Sequence, residues 1–517
     1  MSDPINSVVI LGGGTAGWIT AGTLAARFNR EQEEPVRVTL VESPNVPTIG
    51  VGEGTWPTMR STLKKMGVRE TEFIRECNVG FKQGAKFARW TTGADDEFYY
   101  HPLVQPEGFH NHNLATHWLG GNTSESFSNA VCPQEALCEH NRAPKQIGTP
   151  EYAAVANYAY HLDAGKFAGF LQRHCTENLD VRHILADVTG IEESETGDIA
   201  ALRTEAHGKV SGDLFVDCSG FGSRLLGGHY KVPFRSCKDV LFIDSALAVQ
   251  VPYEREDSPI ATHTISTAQN AGWVWDIGLQ SRRGVGHVFS SAHTSDSAAY
   301  GELARYLKVS EGELDRLGVR KIPIVPGHRE KFWHRNCVAI GLSAGFLEPL
   351  EASALVLVEI SANMLAEQFP ASRAAMDVVA RRFNETFLYR WDRIIDFLKL
   401  HYVLTKRTDS RFWIDNCDPA TIPDSLQELL TLWRYQPPWH DDFDRAVEVF
   451  PAASYQYVLY GMGFETQPAV HGVSRASLEQ AGQLFQQKCK ATQQMLEGLE
   501  THRDLINKIC RHGLQKI

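Results

Sequence analysis

The fold of this chain is decided by residues 7–28, SVVILGGGTAGWITAGTLAARF, close to its first residue. The apolar run from Ser7 to Leu11 stops at a glycine turn, and residues 16–28 then form a stretch of helical character with few breakers. A strand, a tight turn and a helix are therefore predicted in that order. The spacing Gly12-x-Gly14-x-x-Gly17 within this segment is that of a dinucleotide-binding turn, which needs both the strand and the helix.

A second strand is predicted to complete a βαβ unit around this turn. It covers residues 36–41, VRVTLV, and ends at Glu42, which can accept a hydrogen bond from a ribose hydroxyl. The start of the helix, at Thr15 and Ala16, offers N–H groups and a positive dipole end to a pyrophosphate. An ordinary glycine-rich turn is the alternative interpretation, because such turns are common.

Two later segments favour FAD over a nicotinamide dinucleotide. Residues 213–224, DLFVDCSGFGSR, form a short predicted strand that runs into Asp217 and a turn containing Gly220. Residues 336–351, NCVAIGLSAGFLEPLE, repeat the pattern, with Leu342 between glycines where the strand ends. Three returns of the chain suit a long FAD molecule, and three unrelated strand ends are the alternative. The loop IGVGEGTWP, with Gly50, Val51 and Gly52, is predicted to lie near the isoalloxazine, because its glycines let backbone approach a flat ligand.

The character of the chain changes toward its C-terminus. Mixed sheets are predicted between about residues 160 and 338, whereas helices are predicted at Ser353 to Phe369, around Met376 to Leu398, and from about Ser474 to Cys510. The predicted fold class is α/β, with a doubly wound FAD-binding body, an inserted mixed β-sheet and a mostly α-helical C-terminal lobe. We expect the body and its substrate-side sheet to span residues 1–365, and the lobe that covers the substrate site to span residues 366–517.

Composition and charge favour a globular enzyme that acts on small molecules. The chain is 43% hydrophobic and 22% charged, and its formal charge of −11 disfavours nucleic acids and anionic membranes as partners. The sequence lacks an apolar run of about 18 residues and a signal-peptide pattern, so a cytoplasmic protein is expected. Three histidines, His110, His112 and His117, lack a recognisable metal-ligand frame and are interpreted as part of a polar loop.

Seven stretches together resemble the flavin-dependent tryptophan halogenases, and the resemblance covers nearly the whole chain. They are GGGTAGW (12–18), IGVGEGTWP (49–57), FKQGAKFARW (81–90), YAYHLDAGKFAGFL (158–171), DCSGFGSRL (217–225), GWVWDI (272–277) and GLSAGFLEPLEASAL (341–355). The resemblance implies a glutathione-reductase/hydroxylase-like FAD fold in which reduced FAD and oxygen convert a halide, chloride or bromide, into hypohalous acid. This acid then travels through the protein to an aromatic substrate. A separate NAD(P)H flavin reductase is implied as a partner, and a homodimer is one assembly that the chain could form.

The resemblance also assigns roles to individual residues. Lys82 matches the family's essential lysine, which holds the hypohalous acid by a hydrogen bond or as a haloamine, and Glu351 matches the glutamate that assists delivery and takes the substrate's proton. The chemistry of the two side chains agrees with these roles. The amine of Lys82 offers hydrogen-bond donors and a nucleophilic nitrogen, and the carboxylate of Glu351 can act as a general base. The halide is expected at the N–H groups of Ser353 and Ala354. The local pattern alone permits a surface lysine, since alternation places Lys82 with Lys86 opposite the apolar residues.

The resemblance also implies a barrier between flavin and substrate. Trp273 and Trp275 lie two residues apart, on the same side of a predicted strand, and are expected to wall off the flavin. Ordinary core packing is the alternative interpretation of this pair. His101 and Leu103 match the substrate wall, although an aromatic residue is common in the family at the position of Leu103.

Several departures from the family pattern concern the substrate and the halide. Ala352-Ser353-Ala354 replaces the usual Ser-Thr-Gly, Gly278 replaces a proline, and residues 455–464 lack the acidic residue and tryptophan that clamp free tryptophan. A bare indole, a peptide-borne indole or another electron-rich ring is therefore at least as well suited to be the substrate as free tryptophan. A flavin monooxygenase acting on an aromatic ring and a non-catalytic flavin-binding protein are the alternative functions.

Overall fold

The computed structural model describes residues 4–28, 36–46, 52–121, 124–445, 447–467 and 474–516. Among these residues the strands are β1 Ser7–Leu11, β2 Arg37–Glu42, β3 Gly52–Gly54, β4 Gly80–Lys82, β5 Gly84–Ala88, β6 Phe98–Pro102, β7 Ala159–Asp163, β8 Arg182–Leu185, β9 Val188–Glu193, β10 Ile199–Thr204, β11 Gly208–Ser211, β12 Leu214–Asp217, β13 Phe234–Ser236, β14 Ser245–Pro252, β15 Thr264–Ala268, β16 Gly272–Gly278, β17 Arg282–Phe289, β18 Arg320–Pro323, β19 Gly327–Arg329, β20 Trp333–His334, β21 Cys337–Ala339 and β22 Gly345–Phe346.

The helices of the same residues follow in chain order. They are α1 Thr15–Phe28, α2 Thr58–Met66, α3 Glu70–Glu76, α4 Leu114–Leu119, α5 Phe127–Val131, α6 Gln134–Glu139, α7 Ala164–Asn178, α8 Asp296–Leu307, α9 Glu311–Leu317, α10 Ser353–Glu367, α11 Arg373–Val403, α12 Arg411–Asn416, α13 Asp424–Trp433, α14 Ala452–Gly461, α15 Arg475–Gly498 and α16 His502–His512. Of the helices in the described chain, none is both long enough and apolar enough to cross a bilayer.

The chain forms two compact units, each assembled from three separate segments. The first unit contains residues 1–79, 162–237 and 325–391, and the second contains residues 80–161, 238–324 and 392–517. The expected boundary between residues 365 and 366 lies inside α10 and within the last segment of the first unit. The division into 1–365 and 366–517 stays a prediction.

The first unit is built on a six-stranded sheet with the order β20-β21-β12-β1-β2-β8. Its central strand, β1, pairs in parallel with β2 and β12, and β8 and β21 extend the parallel part outward. Val8, Val9 and Ile10 are buried, as expected for a strand covered on both faces. Helix α1 packs against α7 and α10 of the same unit. The predicted βαβ start and the doubly wound body are confirmed.

The second unit contains a seven-stranded sheet with the order β18-β14-β17-β16-β15-β5-β6. Its neighbouring strands are antiparallel except for the parallel pair β15 and β5. Apolar residues of β14, β16 and β17 form a core with α8 and α9 on one side of this sheet. The predicted inserted mixed sheet is thus confirmed, and the five described α-helices beyond residue 403, α12 to α16, belong to this unit.

Two details of the predicted elements differ in the structure. The half-buried strand expected through Lys82 and Lys86 is two strands, β4 and β5, in different sheets. The chain changes sheet at Gln83, whose backbone N–H donates to the carbonyl of Thr262 over 2.6 Å. The helical stretch expected from about residue 474 to residue 510 is also divided, because Thr501 accepts the N–H of Asp504 with its side chain and starts the new helix α16.

Candidate active site

The glycine turn after β1 is a backbone cradle in which a side chain at Gly12 or Gly17 would collide with other backbone atoms. A Cβ on Gly12, which has a φ of +120°, would lie 2.2 Å from the carbonyl oxygen of Cys218. A Cβ on Gly17 would lie 1.9 Å from the carbonyl oxygen of Gly12. Gly14, in contrast, faces open space within 4 Å of its Cβ position. The turn is therefore closed on the protein side and open on the side where α1 presents its first N–H groups.

The other side chains of the turn suit a dinucleotide. Thr15 and Ala16 begin α1, whose first turn contains no acidic residue to oppose a phosphate. Glu42 ends β2, and its Oε2 lies 3.0 Å from Nε2 of His183. The sequence pattern did not identify His183, because it comes from β8, far away along the chain. The pattern of residues fits the pyrophosphate and ribose of FAD.

The later returns of the chain lie beside this turn within the first unit. Asp217 is fully buried, and its carboxylate accepts the N–H groups of Leu225 and Leu226, each at 2.8 Å. Asp217 thus holds the loop that contains Gly220, whose Cβ position also faces open space. Leu342 follows Gly341, and a Cβ on Gly341 would lie 2.7 Å from Cβ of Ala16.

The loop expected near the isoalloxazine is described in part. Gly50 and Val51 lie outside the described residues, whereas Gly52 is buried at the start of β3. Glu53, also on β3, was not singled out by the sequence pattern, although it lies inside the quoted glycine-rich motif. Desolvation by burial raises the pKa of Glu53 to about 7, so its carboxyl titrates near neutral pH.

The backbone at Glu351 and Ala352 is held in an unusual conformation. Their φ values are 62° and 54°, a left-handed pair of residues without glycine. The carbonyl of Glu351 accepts a hydrogen bond from Nε1 of Trp56 at 2.9 Å. Glu351 itself is 7% exposed. Strained pairs of this kind persist where surrounding contacts determine them, and they concentrate at functional sites.

The same turn leaves the N-terminus of α10 without a side-chain cap. Ala352 occupies the N-cap position and offers no side-chain acceptor to the first N–H groups of the helix. Ser353 and Ala354 are the first two residues of this 15-residue helix, and Ser353 is buried. Because these N–H groups lie at a positive dipole end, the position suits a small anion.

Lys82 belongs to the second unit and is 2% exposed, so it is not the surface cation that alternation alone permitted. It ends β4, which pairs with β7 so that Lys82 lies opposite Ala159 and Gly80 lies opposite His161. Burial and the charge of Lys82 hold the pKa of His161 well below its usual value. Lys86, in contrast, forms an ion pair of 2.6 Å with Glu139, which is 37% exposed.

The tryptophan pair lies inside the seven-stranded sheet. Trp273 and Trp275 are 1% and 7% exposed, on β16, and point to the same face as predicted. The ring of Trp275 lies over Gly286 of β17, where a Cβ would come within 2.1 Å of the indole. Trp273 contacts Trp90, with ring centroids 6.1 Å apart.

The expected substrate-wall residues are buried in the second unit. His101 is 2% exposed, its Nε2 lies 3.0 Å from Oγ of Ser454, and its ring contacts Phe397 and Tyr457. Leu103 is 7% exposed, and its N–H donates to Oε1 of Gln134 at 2.7 Å. The sequence pattern did not single out these aromatic neighbours, because they belong to α11 and α14.

The fold and these residues define a class: an α/β protein with a glycine turn of the dinucleotide-binding type, a helix start without a side-chain cap and an enclosed lysine. The model of the tryptophan halogenase family matches residues 7–477. A tryptophan halogenase from Shewanella frigidimarina NCIMB 400 has 48% identity and a TM-score of 0.98, over 100% of this chain and 99% of the other. The flavin-dependent halogenase BrvH from Brevundimonas sp. BAL3 has 31% identity and a TM-score of 0.84, over 98% and 99% of the two chains.

A curated relative leads to the same family. The tryptophan 6-halogenase SttH from Streptomyces toxytricini is 33% identical over 479 residues, which cover 89% of each chain. The chain therefore belongs to the tryptophan halogenase family and is a flavin-dependent halogenase, an enzyme that uses FAD and a halide and depends on a separate flavin reductase. The monooxygenase and non-catalytic alternatives are not favoured.

Proposed function

We propose that this halogenase transfers halogen from hypohalous acid to an indole-type aromatic ring, with Lys82 as the residue that presents the halogen. The burial of Lys82, which is 2% exposed, carries the proposal. A long cationic side chain loses hydration when it is enclosed, so lysine is seldom buried to this extent. When bound, reduced FAD supplies the oxygen chemistry that converts the halide into hypohalous acid.

Other residues of the chain are assigned to the cofactor, the halide and the substrate. We propose that Gly12, Gly14 and Gly17 with the start of α1 bind the pyrophosphate, and that Glu42 binds the ribose. The N–H groups of Ser353 and Ala354 hold chloride or bromide. Trp273 and Trp275 separate the flavin from the aromatic substrate, which His101 and Leu103 border.

Proton balance assigns a role to Glu351. Hypohalous acid and the aromatic ring give the halogenated ring and water, so the carbon that gains halogen must lose a proton. Lys82 donates a hydrogen bond to the hypohalous oxygen or carries the halogen on its nitrogen. The Glu351 carboxylate accepts the ring proton, a general-base step typically worth about 10²–10⁴-fold in rate.

The decisive experiment compares Lys82→Met with Lys86→Met. The purified chain is combined with a flavin reductase, FAD, NADH, oxygen, bromide and either tryptophan or indole, and the product is identified from its bromine isotope pattern. We expect Lys82→Met to lose at least about 10²-fold in halogenation rate, because the reacting halogen is no longer positioned. Lys86→Met removes a lysine of β5, the next strand along the chain, and is expected to stay within a few-fold of the wild type.

Two outcomes would contradict the proposal. Full halogenation by Lys82→Met would assign the halogen to another residue. A product that carries oxygen, with and without bromide, would favour monooxygenase chemistry instead.

Glu351→Gln should also lower the halogenation rate while it leaves FAD binding intact.

A further inference from the structure

Strand β4, which ends at Lys82, has three residues and pairs with β7 along one edge. At its middle residue, the backbone N–H of Phe81 donates to Nε2 of His502 over 2.8 Å. A side chain therefore takes the place that a neighbouring strand would otherwise occupy, one residue before Lys82. This side chain comes from the first residue of α16.

Both ring nitrogens of His502 are used. Nε2 accepts from Phe81, and Nδ1 lies 3.1 Å from the carbonyl oxygen of Ile260, to which it donates. These two contacts require the neutral tautomer with the proton on Nδ1. Burial lowers the pKa of His502 to about 3, so the ring stays neutral at physiological pH.

The backbone of β4 leaves space for the His502 imidazole at Gly80. A Cβ on Gly80 would lie 3.3 Å from Cε1 of His502 and 2.8 Å from the carbonyl oxygen of Gly278. The His502 and Phe81 rings are 5.7 Å apart between centroids. Glycine at position 80 thus allows the histidine to approach the strand closely.

The residues around His502 are fixed by further hydrogen bonds within the second unit. The N–H of His502 donates to the carbonyl of Asn141, and the N–H of Ala143 donates to the carbonyl of Glu500, both at 2.9 Å. Arg503 donates to the carbonyls of Ser258 and Gln280 at 2.8 and 2.6 Å. The backbone pairing with residues 141 and 143 fixes the place from which the imidazole projects, whereas Arg503 anchors α16 separately.

We propose that His502 is a positioning residue that fixes strand β4, and with it the direction of the Lys82 side chain, during halogen transfer. The inference rests on the proposed function of Lys82. A halogen-presenting amine must be held within a fraction of an ångström of its working position, and β4 is too short to hold itself through one pair of strands. The second side of β4 is held by the C-terminal segment.

The test measures how much hypohalous acid reaches the substrate. In His502→Leu, the N–H of Phe81 loses its acceptor, and the kcat of halogenation should fall by about 10²-fold while KM for the aromatic substrate changes little. More hypohalous acid should then escape to an added diketone trap in the presence of saturating substrate. His502→Gln keeps an acceptor at the same reach and should restore most of the halogenation.

Arg503→Leu is the matched control, since it weakens the docking of the same helix at residues 258 and 280. It should lower the melting temperature and leave unchanged the ratio of halogenated product to trapped hypohalous acid. The positioning role would be overturned if His502→Leu kept the wild-type ratio of halogenated product to trapped hypohalous acid. It would also be overturned if Arg503→Leu changed this ratio by the same factor. If the leucine variant does not fold, His502→Asn, whose amide is too short to reach Phe81, is measured against the same criteria.

The two proposals fail in different ways. A wild-type enzyme that yields no halogenated ring, or a Lys82→Met variant as active as the wild type, contradicts the proposed function and this inference with it. Suppose that the wild type halogenates and Lys82→Met does not. A His502→Leu variant that delivers as much hypohalous acid to the substrate as the wild type then contradicts this inference alone.

Discussion

One buried carboxyl group of the first unit, that of Glu359, has a pKa well above its usual value. Glu359 of α10 is fully buried and accepts hydrogen bonds from the hydroxyls of Thr62, at 2.7 Å, and Thr58, at 3.3 Å. These hydroxyls only partly replace the lost hydration, and desolvation raises the pKa of Glu359 to about 8. The two threonines lie on α2, so this carboxyl joins α2 to α10 close to the proposed halide position.

A pH-dependent stability follows for Glu359. Its folded pKa, about 8, exceeds the unfolded value of 4.5, so folding takes up a proton between these pH values. The free energy of unfolding should therefore fall as pH rises through this window, by up to about 1.4 kcal/mol per pH unit from this group. Glu359→Gln should remove this dependence and be relatively more stable at pH 8 than at pH 5, as measured by urea unfolding of the FAD-free protein. A constant difference between the two proteins across that window would contradict the prediction.

Lys82 and Lys86 lie in one sequence segment but differ in burial, because a strand break separates them. Alternation placed Lys82 and Lys86 on one face, but that pattern assumes a continuous strand. Gln83 breaks the strand and sends its two ends into different sheets. One lysine is consequently enclosed, whereas the other forms an ion pair at a partly exposed position.

A prediction at the same scale concerns β16 and β17. Trp275 lies opposite Gly286 in the register, and a side chain on Gly286 would occupy the position of the indole. Gly286→Val should displace Trp275, destabilise the fold by roughly 1–3 kcal/mol, and lower the fraction of consumed reduced flavin that ends in halogenated product. Both quantities are measured beside Gly148→Val, since the Cβ position of Gly148 faces open space. Unchanged coupling in Gly286→Val would separate Trp275 from the proposed barrier.

At the scale of the whole molecule, the chain passes repeatedly between its two units. Each unit draws on three segments, and Glu351 belongs to the first unit whereas Lys82 belongs to the second. The roles assigned to Lys82 and Glu351 at one reacting ring stay a prediction. Neither unit corresponds to one uninterrupted part of the sequence.

This interleaving predicts the behaviour of a fragment. A chain of residues 1–365 lacks residues 366–391 of the first unit and 392–517 of the second, including the helix that carries His502. It should therefore fail to unfold in one cooperative urea transition, followed by tryptophan fluorescence, under conditions where the full chain does. A fragment that binds FAD and unfolds cooperatively would instead support the boundary expected from the sequence.

The sequence by itself determined the parts whose physics is local. A run of apolar residues, a glycine turn and an uninterrupted helical stretch lie within residues 7–28, so the dinucleotide-binding start of the fold could be predicted from them. The periodicity of α11 was readable for the same reason. The resemblance of seven stretches then supplied the family and the identity of Lys82 and Glu351 as candidates.

Only the tertiary structure decided how those residues are held. The burial of Lys82, the contact of His183 with Glu42 and the hydrogen bond from Phe81 to His502 each join segments that are distant in sequence. Such contacts have no local signal, because hydrophobic periodicity reports which face of an element is buried and not which partner covers it. The strand break at Gln83 depends likewise on a carbonyl at Thr262, which only the folded chain brings near.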